Sequence, residues 1–175
     1  AATDNVGVTQ YAFAYTADLS DPSEWSDLAA GADSAIVWST TGLAEGTYRV
    51  RVTVRDAAGN TATRTQTYTL DTTAPPVPTG LGATGGERLV VLSWTTTAVD
   101  DLGGFNVYRR TAGEAGLALL AGGVMDATFT DRAALPGQAY VYAVSAVDTR
   151  GNESALSNEA TATATADVTP PAVNT

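Results

Sequence analysis

The sequence predicts an all-β chain built as two tandem β-sandwich modules. Three observations carry this: short apolar runs alternate with period two, a long-range internal repeat recurs once, and paired prolines punctuate the chain at matching places. In Tyr48–Arg55, for instance, Tyr48, Val50, Val52 and Val54 alternate with Arg49, Arg51, Thr53 and Arg55. Alternation of this kind gives a strand one buried face and one wet face.

The repeat is the most specific signal. Residues 43–60 read Leu43-x4-Tyr48-x7-Asp56-x2-Gly59-Asn60, and residues 135–152 read Leu135-x4-Tyr140-x7-Asp148-x2-Gly151-Asn152. A period of about 90 residues is the size of one sandwich domain and too long for a solenoid repeat. Each Asp-x-x-Gly-Asn is turn chemistry, because Gly accepts positive φ and Asp and Asn bond nearby backbone amides. A second strand follows each turn, Thr61–Leu70 and Ser157–Thr165, so each copy is a hairpin. Asp71-Thr-Thr-Ala-Pro-Pro76 closes the first copy and Asp167-Val-Thr-Pro-Pro171 the second. Prolines cannot continue a ladder, and they stiffen a linker. The expected layout is therefore a first module at 1–72, a second at 73–166, and a linker with the start of a further module at 167–175.

Residues 76–166 closely resemble a fibronectin type III domain. Pro76–Leu81 resembles its first strand, Val90–Trp94 the second, Phe105–Arg109 the third and Ala127–Asp131 the fifth. The stretch Leu135–Tyr140 resembles its corner, and the two strands after it the sixth and seventh. The resemblance implies a seven-stranded Greek-key sandwich with Trp94 in the core and the Tyr140 hydroxyl bonded back to upstream backbone. Residues 1–72 resemble a related bacterial Ig-like module. Its third-strand pattern, Tyr11, Phe13 and Tyr15, comes so early that the first two strands are expected to be absent. The fold class is thus two tandem immunoglobulin-like Greek-key sandwiches, the first lacking its N-terminal strands. An open apolar face and free strand edges should follow, satisfied by neighbouring modules of the same array or by head-to-tail subunits.

Composition narrows the chemistry. The chain has no cysteine, no histidine and no lysine. Disulfides, thiol catalysis, Cys/His zinc sites and histidine acid–base work are therefore excluded. A net charge of -10 repels phosphate backbones, so nucleic acid is not expected as a partner. No apolar run is long enough for membrane insertion. Asp100 and Asp101 are adjacent in a turn-like stretch and read as a solvated loop rather than a catalytic pair.

Two binding readings stand beside the structural one. Asp4, Asp56, Asp71, Asp148 and Asp167 lie in turns or linkers and offer hard oxygen ligands to calcium, although turn capping is the preferred role. Trp38 points outward if Val37 holds the place of Phe129, each six residues before its corner leucine. Together with Arg49, Arg51 and Arg55 it would then offer a surface to glycan or an acidic partner, against the alternative of module packing. Asn152-Glu-Ser154 is a lone glycosylation sequon. The leading functional expectation is a non-catalytic structural or adhesive module pair of an extracellular, secreted or cell-surface microbial protein. The alternatives are accessory modules of a secreted polysaccharide-degrading enzyme, or a glycan-binding module.

Overall fold

The computed structural model describes residues 7–20 and 24–168. Asp4 and residues 169–175, most of the expected C-terminal linker and strand start, lie outside them. The chain divides into two compact units, Ala1–Thr72 and Thr73–Thr175. All eleven described elements are strands.

The first unit is one antiparallel sheet in the order β2-β1-β3-β4, with β1 Val8–Thr16, β2 Ser26–Gly31, β3 Gly46–Asp56 and β4 Thr61–Leu70. Its alternation is the one the sequence shows. Tyr11, Phe13 and Tyr15 of β1 lie opposite Val54, Val52 and Val50 of β3 and form one apolar face. Arg49, Arg51 and Arg55 share the other face with the threonines of β4, where Thr67, Thr65 and Thr61 are their cross-strand partners. Among the described residues no second sheet covers the apolar face, and its side chains from Tyr11 to Val54 stay half-buried. Among the described residues of this unit, Ala14 and Tyr48 are the only buried apolar ones.

The second unit is a complete sandwich. One sheet runs β11-β10-β7-β8 and the other β5-β6-β9. Its strands are β5 Thr79–Gly86, β6 Leu89–Thr95, β7 Leu102–Thr111, β8 Ala118–Val124, β9 Thr128–Asp131, β10 Ala139–Asp148 and β11 Ala160–Thr163. Leu81, Val90, Leu92 and Trp94 from one sheet meet Phe105, Val107, Tyr140, Tyr142 and Val144 from the other. The Trp94 and Phe105 rings meet edge to face at 5.3 Å, the arrangement their quadrupoles favour. Gly85 lets β5 pass against β11, since a side chain there would collide with the Thr163 carbonyl.

The seventh strand is shorter than Ser157–Thr165, the span the alternation predicts. Two serines explain the difference. Ser154 Oγ accepts from the Ala146 amide at 2.9 Å, and Ser157 Oγ accepts from the Val144 amide at 3.1 Å. Hydroxyls thus take the place of ladder carbonyls, and the segment follows β10 without being a strand. Asn158 then acts as a peptide mimic. Its Oδ1 accepts from the Leu81 amide at 3.1 Å and its Nδ2 donates to the Leu81 carbonyl at 3.0 Å, tying β5 to this segment.

Candidate functional site

The repeated turns fold into the same clasp. In the first unit, the Asn60 amide donates to Asp56 Oδ1 at 2.8 Å and its Nδ2 to Oδ2 at 2.7 Å. In the second, Asn152 makes the same two bonds to Asp148, and the Arg150 amide adds a third at 2.8 Å. Gly59 and Gly151 supply matching positive φ, 94° and 93°. Each aspartate thus binds its own turn through both carboxylate oxygens, which is the capping chemistry its spacing suggests. Burial pushes the Asp148 carboxyl up, but the Asn152 side chain and the Asn152 and Arg150 amides outweigh this and hold it below its ordinary value. The Asp101 carboxylate comes within 4.8 Å of that of Asp148. Asp71 directly follows β4, and Asp167 is exposed beyond β11.

The same clasp occupies the sequon. Asn152 Nδ2 donates to Asp148 and Ser154 is buried, so a glycan on Asn152 would cost the turn its closing bond.

The tyrosine corners differ. Tyr48 donates its hydroxyl to the Ala44 carbonyl at 2.6 Å, whereas the Tyr140 hydroxyl accepts only a long 3.4 Å bond from the Leu135 amide. Tyr48→Phe is therefore expected to cost about 1 kcal/mol, near the middle of the range for one net hydrogen bond. Tyr140→Phe should cost less than half of that. Chemical denaturation of the two variants orders them, and a larger loss at Tyr140 would reverse the assignment.

The structure corrects the orientation of Trp38. Val37 is fully exposed, and the Trp38 ring turns to the apolar face, 5.1 Å from Tyr15 and 5.8 Å from Tyr48. The physical reason lies in the ladder. Phe129 of the second unit is held inward because its strand pairs with β6, Leu92 opposite Phe129. Residues 35–40 of the first unit form no ladder, so nothing fixes their alternation and the larger apolar ring takes the inner position. The aromatic beside the arginines is Trp25 instead, with the Arg51 guanidinium 4.1 Å above its ring. Arg49 and Arg55 lie on the same face of β3.

A polar cluster on the outer face of the second unit escapes sequence reading. Glu153 Oε1 accepts from Asn106 Nδ2 at 3.0 Å and from the hydroxyls of Tyr108 and Ser145. The three donors come from β7 and β10, and only the register of that pair brings them together. The Ser145, Tyr108 and Asn106 bonds hold the Glu153 carboxyl below its ordinary 4.5. The Glu153 bond, with some burial, raises the Tyr108 hydroxyl above its ordinary 10.0. A depressed carboxylate stabilises the fold above its unfolded value and loses that contribution as pH falls through its folded one. Glu153→Gln should therefore lower the denaturation midpoint at pH 7, and the gap to the parent chain should narrow as pH falls below 4.5. A gap independent of pH would show that the charge is not what the cluster uses.

Fold and repeated turns together define a class: tandem fibronectin type III and Ig-like modules. Residues 7–72 match the bacterial Ig-like domain family. The FN1–FN3 domains of chicken CNTN1 share the fold at TM-score 0.66 and 14% identity, covering 89% of this chain and 56% of theirs. Chitinase A1 of Niallia circulans is 33% identical over 99% of this chain and 24% of its own length. Exoglucanase B of Cellulomonas fimi is 38% identical over 71% of this chain and 12% of its own. An amylopullulanase of Thermoanaerobacterium thermosulfurigenes is 43% identical over 53% of this chain. The chain thus spans from 5% to 24% of the length of these relatives. No described helix is long and apolar enough to cross a membrane.

Proposed function

We propose that the chain is a non-catalytic, extracellular pair of accessory modules of a polysaccharide-degrading enzyme, where it spaces neighbouring modules of the same polypeptide. One observation carries this reading: a chitinase, an exoglucanase and an amylopullulanase, three enzymes named for different polysaccharides, share its modules, one of them along nearly the whole chain. A part that recurs across different substrates serves something other than substrate choice. The stalk, adhesive or filament reading draws on the same repeat, whereas the relatives named above are enzymes. Direct glycan binding through an exposed Trp38 loses its platform, since that ring packs on Tyr15 and Tyr48.

The test is made on insoluble starch, cellulose and chitin. The chain alone should stay in the supernatant and release no sugar. Placed between a glycanase domain and a carbohydrate-binding module, it should raise hydrolysis of the insoluble polymer several-fold over a direct fusion, with the rate on soluble substrate unchanged. Equal rates on the insoluble polymer would overturn the spacer role, and pelleting of the chain alone would favour a glycan-binding module.

A further inference from the structure

The outer face of the first unit gathers a charge that the rest of the unit opposes. Residues 1–72 hold nine Asp and Glu against four Arg, yet Arg49, Arg51 and Arg55 all project from this one face of β3. Among the described residues none of the three joins an ion pair. Asp27 is the only strand carboxylate that the register places on the same face among the described residues, and Ala14 stands between it and Arg51. The face is thus locally cationic on an acidic module.

The register also lays a lane across the strands. Thr63, Thr53, Ala12 and Ala30 are cross-strand neighbours in β4, β3, β1 and β2, and they share this face. Their small side chains make a floor. Arg51 and Arg55 flank Thr53, so their Cα atoms stand about 13–14 Å apart along β3. The Arg51 guanidinium lies 4.1 Å above the Trp25 ring, and the pair forms one flat cationic wall. The Arg55 guanidinium leans toward its own turn, where a Cβ on Gly59 would come within 3.3 Å of Nη2, and this leaves the lane open. In the floor the Thr53 and Thr63 hydroxyls lie 3.2 Å apart, use one proton between them and keep the other to donate.

We propose that this lane binds a carboxylated polysaccharide, a polyuronate chain lying across the strands. Charge complementarity selects the anion. A planar guanidinium grips a carboxylate through two parallel N–H donors, and arginines on either side of the lane can take two of them. Trp25 holds the Arg51 guanidinium in place before the ligand arrives, which lowers the ordering cost of binding. The threonine hydroxyls of the floor suit the hydroxyls of the sugar. An acidic polypeptide fits this face less well. β3 lies between β1 and β4, so its backbone groups are already spent in ladders. An extended peptide would find none of the main-chain bonds that give strand addition its affinity. A sugar chain needs side chains alone. The inference goes beyond the spacer role, which concerns neutral polymers that offer the lane no carboxylate.

The probe is polygalacturonate, titrated into the full chain by calorimetry at low ionic strength, beside its fully methyl-esterified form and poly-glutamate. The acid form should bind, and the uncharged ester should not. Binding should weaken at least tenfold in about 0.5 M salt, where the screening length is roughly 4 Å. Arg51→Gln should weaken it at least tenfold. Arg51→Lys keeps the charge and loses the fork, so it should weaken binding several-fold, and the test does not hang on whether Arg51→Gln folds. Arg64→Gln should bind as the parent does, since Arg64 lies opposite Val52 on the other face. No binding of polygalacturonate at low salt would overturn the proposal. So would an equal loss from Arg64→Gln, which would put the contact elsewhere. Poly-glutamate binding as tightly would also overturn it and make an acidic polypeptide the occupant. The spacer role fails on a different reading, equal hydrolysis rates, so the two failures are distinguishable.

Discussion

Trp94→Ala is expected to destabilise the second unit by about 3–5 kcal/mol, the cost of cutting a buried large aromatic down to a methyl. Trp94 is 6% exposed, meets Phe105 edge to face and belongs to the buried cluster that holds Leu81, Val90, Leu92 and Tyr142. One feature moderates the loss. Among the described residues the buried Trp94 Nε1 has no hydrogen-bond partner, and an orphaned donor costs about 1–3 kcal/mol in the folded state. Removing it returns part of that, so the value should fall toward the lower end, and Trp94→Phe should be milder than area alone suggests. Urea denaturation followed on the second unit decides. A loss under about 1 kcal/mol would mean that Trp94 does not fill the space between the sheets.

Asp131→Ala is the other large expected effect. Asp131 is 2% exposed and accepts from Arg109 at 2.7 Å, from the Tyr142 hydroxyl at 2.9 Å and from the Ala133 amide at 2.9 Å. Burial and the Asp131 bond push the Tyr142 hydroxyl well above its ordinary value. Deleting the acceptor strands three donors of unequal freedom, and the Ala133 amide, on an exposed residue, can turn to water. Arg109 is 24% exposed and can turn to water, while Tyr142 is fully buried and cannot. The expected loss is therefore roughly 2–4 kcal/mol, below that of a fully enclosed broken pair. Adding Tyr142→Phe should return about 1 kcal/mol by removing the stranded hydroxyl. Strictly additive losses would show that the two groups are not coupled.

Much of this was legible in the residues, for a physical reason. Where a strand has one wet face and one drier face, alternation writes its register into the sequence, as in Tyr48–Arg55. Turn chemistry is equally local, and the Asp-x-x-Gly-Asn clasp closes within five residues. What resisted reading depends on distant partners. Trp38 turned inward because its segment has no neighbouring strand to hold its alternation. The seventh strand shortened because Ser154 and Ser157 stand in for backbone acceptors. The Glu153 cluster needs two strands in register before its donors meet. The arginine stripe was legible from period two, but its aromatic companion Trp25 was not, since only the fold carries it over Arg51.

The closure of the second unit bears on how it meets force. Its chain enters through β5 and leaves just after β11, and the bridge Glu87–Thr165 between these two segments is parallel. Where first and last segments run side by side in the same direction, a pull on the two ends slides them past one another. The bonds between Gly86, Arg88 and Thr165 are then loaded together in shear, where a hairpin would open one bond at a time. Resistance to such a pull is set by the unfolding rate rather than by equilibrium stability. A module closed in this way resists tension applied along the chain through its two ends better than one whose ends meet in a hairpin.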